Sequence, residues 1–280
     1  MIKKISNLFK ERGLFGILFL IIKIFLHKIF GIRTVGEISF TSVSPERKVF
    51  SNRILKYSED GYFFLDPMPS SEELNYYYSS FYWDPAKKAK KIHGANTRDF
   101  LHYNLLKEYI PQELVKGKVF LNFGAGHGGV SHLCWLDGMQ VVNVEPSLLP
   151  QFYDDRWHTY ADISEVEDGS VDLIYGSHSL EHVQDIEKSK SEFKRVLKPN
   201  GLLFWEVPNA DSDHVGSQHG RVDVPHTYYF KSDFFNNWFS EVLLCDGYDQ
   251  KGWKETNIIK NWKKYKDRKG RVIRALGRID

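Results

Sequence analysis

Cysteine is nearly absent: the 280 residues hold only Cys134 and Cys245. Neither belongs to a CxxC pair or stands among histidines at a ligand spacing, so the sequence offers neither a disulfide framework nor a zinc knuckle. Two reduced thiols are expected, as in a cytoplasmic protein, with Cys134 acting as a small buried hydrophobe. An excess of one charge is also lacking. Thirty-eight Lys and Arg face 36 Asp and Glu, and a formal net charge of +2 excludes a nucleic-acid binder that works through its whole surface. No apolar run approaches the ~20 residues that a bilayer-spanning helix requires. The longest, Leu14–Ile22 continued by Ile24-Phe25-Leu26, carries Lys23 inside it. A signal peptide would end in small residues, and His27-Lys28-Ile29-Phe30 offers none. Internal repeats and low-complexity stretches are missing too.

What is present divides into four parts. Residues 1–33 are apolar and basic, with seven Lys or Arg against Glu11. They read either as a helix at a membrane surface, lying on the inner face with its cations at the headgroups, or as a helix packed on another part of the protein or a second subunit. Residues 34–92 are aromatic-rich, with strand-like runs at Lys48–Tyr57 and Tyr62–Leu65 and a helix expected over Ser71–Trp83. Ser70 and Ser71 followed by Glu72 and Glu73 suit that helix start, where acids favour the free N–H groups. Residues 93–259 alternate strands and helices. Residues 260–280 read as a basic tail, nine Lys or Arg against Asp267 and Asp280.

The third part carries the chemistry. Lys118–Phe123 is an apolar strand that runs into Gly124-Ala125-Gly126-His127-Gly128-Gly129, and Val130–Leu136 reads as a helix. Further strands are expected at Gln140–Val144, His158–Ala161, Val171–Tyr175, Leu202–Val207 and Val242–Cys245, with helices at Asp185–Leu197 and Ser232–Phe239. This alternation predicts an open, mostly parallel α/β sheet. A strand, a GxGxG loop and a helix make a site for a nucleotide-bearing ligand, because glycines admit the ligand closely and the helix start presents free N–H groups. Glu145, 21 residues past Gly124 at the next strand end, is placed for ribose hydroxyls. On these residues alone NAD, FAD and S-adenosylmethionine fit equally.

Later motifs separate them. Tyr160-Ala161-Asp162-Ile163, Glu167–Ile174, Ser179-Leu180-Glu181-His182-Val183, Arg195–Gly201, Glu206-Val207-Pro208-Asn209 and Pro225–Phe230 stand in the same order as in the class I S-adenosylmethionine-dependent methyltransferases, and the chain resembles their small-molecule types 11, 12 and 23. The resemblance implies a Rossmann-like seven-stranded sheet with helices on both faces, preceded by an N-terminal extension. It implies S-adenosyl-L-methionine as cofactor, with Gly124, Gly126 and Gly128 along its methionine part, Glu145 at the ribose, Asp162 and Ile163 at the adenine, and Ser177 facing the methyl group. Asn122 stands where the family usually has an acid for the cofactor's ammonium. It keeps an acceptor but loses the charge, a difference of roughly 1 kcal/mol. His127 is a second departure in the same loop.

Methyl transfer to a hydroxyl needs in-line placement and removal of one proton, and histidine is the natural base near neutral pH. His178, His182 and His226 are the candidates. No metal site is expected; Asp211, Asp213 and His214 are close in sequence, but such loops are common and usually empty. Arg53–Tyr82 resembles a preamble found in relatives of sugar and surface-polysaccharide pathways, with Tyr57–Gly61 in place of its CxxCG pair. That resemblance implies a sugar or glycan acceptor, and a lipid-linked saccharide would account for both basic ends. A quinone or lipid acceptor accounts for the ends as well, and a non-catalytic binding protein is the reading from a different class.

Overall fold

The computed structural model describes residues 37–38, 53–78, 95, 97–146, 156–212, 226–248 and 269–280. Their strands are β1 (Glu37–Ile38), β2 (Arg53–Ser58), β3 (Tyr62–Asp66), β4 (Val119–Phe123), β5 (Gln140–Val144), β6 (His158–Tyr160), β7 (Val171–Ser177), β8 (Leu197–Pro208), β9 (Tyr228–Phe230), β10 (Glu241–Tyr248) and β11 (Val272–Arg278). The helices are α1 (Ser71–Tyr77), α2 (Thr97–Tyr109), α3 (Gly129–Leu136), α4 (Ile186–Val196) and α5 (Ser232–Trp238).

Seven strands form the main sheet in the order β10-β11-β8-β7-β4-β5-β6. The pairs among β4 to β8 are parallel, and β11 runs antiparallel to both β8 and β10. Alternation along the strands sends side chains to two faces. Phe120, Leu173, Leu202 and Phe204 pack with α2 and α3 on one face; Leu121, Ile174, Leu203 and Trp205 pack with α4 and α5 on the other. Both faces are covered, so the central strands are largely apolar, as a parallel sheet demands. The expected α/β class, the seven strands and the helices on both faces are all present.

A second sheet, β1-β2-β3-β9, is antiparallel. Its last strand comes from the long domain, because Tyr62–Phe64 pair with Tyr228–Phe230. The aromatic-rich segment is therefore joined to that domain by a ladder rather than standing as a separate part. Residues 1–33 lie outside the described residues. Among the described residues no helix is long and apolar enough to cross a membrane.

One expectation is corrected, and one helix is new. The basic tail over 260–280 contains β11, an inner strand of the main sheet whose residues from Val272 to Leu276 are buried. The sheet thus continues past residue 259. Its physical reason is Arg274: it stands opposite Glu206 in the register and donates from Nε to Oε2 at 2.8 Å. The helix α2 was not foreseen, because its inner face carries Asp99 and His102 among the leucines.

Glu206 is fully buried. A buried carboxylate is costly unless paired and hydrogen-bonded. Besides Arg274, His102 of α2 donates from Nε2 to Oε2 at 2.7 Å, while the Tyr175 hydroxyl lies 2.6 Å from His102 Nδ1. Burial alone would raise the Glu206 pKa, but His102 and Arg274 hold it well below the ordinary carboxylate range.

Replacing either Glu206 or Arg274 by Leu takes the opposite charge from a buried partner and is expected to cost about 3–5 kcal/mol, whereas the double Leu variant recovers much of that loss; urea unfolding of the three variants measures it. Because the folded pKa is depressed, the contribution of Glu206 is present above the unfolded value of ~4.3 and is lost as pH falls below it. Glu206→Gln is therefore expected to lower stability at neutral pH and to flatten the acid side of the stability–pH curve.

Candidate active site

A cavity of about 680 Å³ opens at the carboxyl ends of β4, β5 and β7. This is the end of an open parallel sheet where ligands bind. The glycine loop forms its floor. Gly124 has φ 69°, and a Cβ there would stand 2.5 Å from that of Ser179. Gly129 opens α3 against the Asp99 carboxylate, which would meet an added Cβ at 2.0 Å. Backbone conformation requires glycine at the first position and close approach requires it at the second.

The structure brings most of the expected residues to this cavity. Asn122, Gly124, Gly126, Gly128, Glu145, Asp162, Ile163, Ser177, His178 and His182 all line it. Glu145, at the end of β5, accepts the Gly126 N–H at 2.8 Å and so ties the loop to the neighbouring strand. Asp162 caps the short turn Ile163–Glu165, its Oδ1 accepting the Ser164 N–H at 2.9 Å. The Ser179 hydroxyl is buried beside Gly124 without a hydrogen-bond partner. An unpaired buried hydroxyl on the wall, an open glycine floor and a carboxylate at the second strand end together suit a nucleoside ligand with polar substituents.

Asn122 is explained by its neighbours. The Ser131 hydroxyl gives its one proton to Asn143 Oδ1 at 2.7 Å, so Asn122 must donate to Ser131 from Nδ2 at 2.9 Å. Asn122 and Asn143 are register partners on β4 and β5. An acid at 122 has no proton for Ser131, and the neutral amide completes this buried chain. His127 sits on the loop, its pKa lowered by burial against the opposing charges of Asp99 and Glu145.

The three histidines separate. His178 follows β7 in a left-handed conformation, φ 54°, which costs a non-glycine residue about 1–3 kcal/mol. Its ring lies between two buried carboxylates, Nδ1 at 3.2 Å from Glu181 Oε1 and Nε2 at 3.5 Å from Glu206 Oε1. Burial disfavours its charged form, but the hydrogen bonds and charges of Glu181 and Glu206 outweigh this and push its pKa up to about 9. This candidate base is thus an imidazolium at neutral pH, a donor rather than a proton acceptor. For Glu181, burial is outweighed by His178, His182 and His226, which hold its pKa at about 2. His226 does not line the cavity: it packs behind His182, ring centroids 4.9 Å apart, and burial with the neighbouring His182 lowers its pKa to about 3. His182 is the imidazole of this pair on the wall. Sequence reasoning missed the two carboxylates, which stand in quoted motifs but reveal their role only through His178.

The cavity's outer wall comes from α1. Its start is fixed by a capping box between Ser70 and Glu73, and by Arg53, which holds Glu73 at 2.6 Å. Ser71 Oγ donates to Gln184 Oε1 at 2.6 Å, Gln184 Nε2 donates to the Pro69 carbonyl at 3.0 Å, and Tyr78 stacks edge-on to His182. Leu74, Asn75 and Tyr78 then face the glycine loop across the opening. The Asp211, Asp213 and His214 group has only Asp211 among the described residues.

This sheet, loop and strand-end carboxylate define a class I S-adenosylmethionine-dependent methyltransferase domain. Residues 95–242, more than half of the chain, match the family model described as a methyltransferase domain, type 23, and the chain belongs to that family. Phosphoethanolamine N-methyltransferase 1 of Triticum aestivum is 26% identical over 191 residues, covering 61% of this chain and 37% of that protein. The ubiquinone biosynthesis O-methyltransferase of Pasteurella multocida (strain Pm70) is 27% identical over 153 residues, covering 46% of this chain and 60% of that one. The chain thus spans less than two thirds of either relative. Among solved structures, Burkholderia thailandensis 1,6-didemethyltoxoflavin-N1-methyltransferase is similar in fold at a TM-score of 0.51 and 14% identity, covering 87% of this chain and 99% of that one.

Gly124→Ala tests the floor. A left-handed alanine and its contact with Ser179 are expected to cost about 1–3 kcal/mol, read as a lowered thermal midpoint, whereas Gly169→Ala, also at positive φ but with nothing within 4 Å, loses only the conformational part.

Proposed function

We propose that this chain transfers a methyl group from S-adenosylmethionine to a hydroxyl oxygen of a sugar or glycan intermediate. The observation that carries the acceptor class is the set of polar groups on the wall opposite the glycine loop, where Asn75, His182 and Lys188 stand beside the apolar Leu74, Tyr78 and Val183. Hydrogen-bonding groups at several points suit a polyhydroxylated acceptor better than a flat apolar ring, because each unpaired polar group would otherwise count against binding.

S-adenosylmethionine would be held along Gly124–Gly128, with Glu145 toward its ribose, Asp162 and Ile163 toward its adenine, and Asn122 and Ser177 toward its methionine end. It supplies the sulfonium, whose carbon–sulfur bond breaks as the new oxygen–carbon bond forms, leaving S-adenosylhomocysteine and one proton. The residues of this chain contribute placement. The α1 wall and the Ser179–Gln184 segment hold the acceptor oxygen in line, and its proton departs toward the His182 side. His178, with both nitrogens engaged, positions the two buried carboxylates and takes no proton itself. The apolar, basic residues 1–33 support a lipid-linked saccharide acceptor at the inner face of a membrane, with the protein on the cytoplasmic side.

Calorimetric titration with S-adenosylmethionine and S-adenosylhomocysteine tests the cofactor assignment. Glu145→Ala is expected to weaken binding about 10–100-fold, the loss of a hydrogen bond to a charged group. Absence of binding by the folded wild type would overturn it. Mass spectrometry of glycans, lipid-linked saccharides, quinones and lipids incubated with labelled cofactor tests the acceptor: a methylene gained by a saccharide supports the reading, and a gain confined to quinones or lipids overturns it.

A further inference from the structure

Glu181, His182 and His226 bring their ligand atoms within 4.8 Å of one another. We propose that these three side chains form a site for one divalent first-row transition-metal ion. The sequence shows no metal-ligand spacing because His226 lies 44 residues beyond His182, and the fold closes that gap. The Thr227 N–H and hydroxyl both donate to the Glu181 carbonyl at 2.9 Å, and the hydroxyl lies 2.6 Å from the Val183 carbonyl. The two ligand-bearing segments are therefore fastened through backbone, independently of any ion.

The ligand set is that of a catalytic rather than a structural centre. Two imidazoles and one carboxylate are three protein ligands, and such sites keep the remaining positions open. Here the open side is the cavity, since His182 lines it whereas Glu181 and His226 close the site from behind. Glu181 is 1% exposed, and its Oε2 has no hydrogen-bond partner. Its Oε1 is held by His178, which orients the carboxylate as an outer partner orients a metal ligand. His226 Nε2 stands 4.0 Å from Glu181 Oε1. Ligand atoms around a tetrahedral ion are about 3.4 Å apart at ~2.1 Å bond lengths, so side-chain rotation of about an ångström closes the set.

The position also gives the ion a role, and this part rests on the methyl-transfer reading. An ion at His182 borders the stretch that carries Ser177, His178 and Ser179 and faces α1. Its open position would seat one oxygen of a polyhydroxylated acceptor, fixing it for transfer and favouring loss of its proton.

The test titrates the purified full chain with Co²⁺ and follows the visible absorption of the bound ion, with Zn²⁺ as competitor. One equivalent of Co²⁺ with imidazole and carboxylate ligation is expected, and His182→Ala and His226→Ala should each weaken it at least tenfold. His182 is only half-buried, so its variant keeps the test open where His226→Ala fails to fold. S-adenosylmethionine affinity, measured in parallel, should be unchanged in His182→Ala. No Co²⁺ binding by the folded wild type, or equal binding by wild type and His182→Ala, overturns the site. Where the ion binds but methyl transfer is the same after chelation and dialysis, the site stands and its role in seating the acceptor is overturned.

Discussion

The charge on Glu206 organises this molecule. A carboxylate with no solvent exposure is stable only where several donors converge on it, and here the donors come from separate regions of the chain. Arg274 arrives on β11, His102 on α2, and His178 on the loop after β7. Each fixes an element: β11 must lie antiparallel beside β8, α2 must cover β7 and β8, and the chain leaving β7 must turn through a left-handed residue. The cavity inherits its shape from these demands. His178 passes the constraint outward to Glu181, and Thr227 ties Glu181 to the segment bearing His226.

Much of this was legible in the sequence where local pattern decides. The strand at Val119–Phe123, the glycine loop, Glu145 and the Asp185-capped helix depend on neighbours only a few residues away. β11 was not legible. Its run of arginines reads as a solvated tail, and Arg274 changes meaning only beside a carboxylate 68 residues earlier. The same holds for α2, whose buried Asp99 and His102 spoil an amphipathic pattern while satisfying contacts elsewhere.

The site shows a similar division. Residues on the glycine-loop side of the cavity follow from motif and spacing, because they stand in that loop or at the ends of the parallel strands β4 to β7. The histidines do not. A ring placed between two carboxylates behaves unlike one packed on another histidine, and although Glu181 stands three residues past His178, Glu206 reaches it from β8 and His182 reaches His226 across 44 residues. Asn122 belongs to both cases: its departure from an acid was visible, and its reason, the Ser131 and Asn143 chain, needed the register of β4 on β5.

The pairing of Glu206 with Arg274 also has a meaning in time. At ribosomal rates of about 5–20 residues per second, the 68 residues between them take roughly 3–14 s to synthesise. During that interval the nascent chain already holds the glycine loop and the strands β4 to β8, but the carboxylate at their centre still lacks its arginine. The half of the sheet that carries the glycine loop is therefore made before it can be locked. A ligand or chaperone that shelters the open edge of β8 would act within that window.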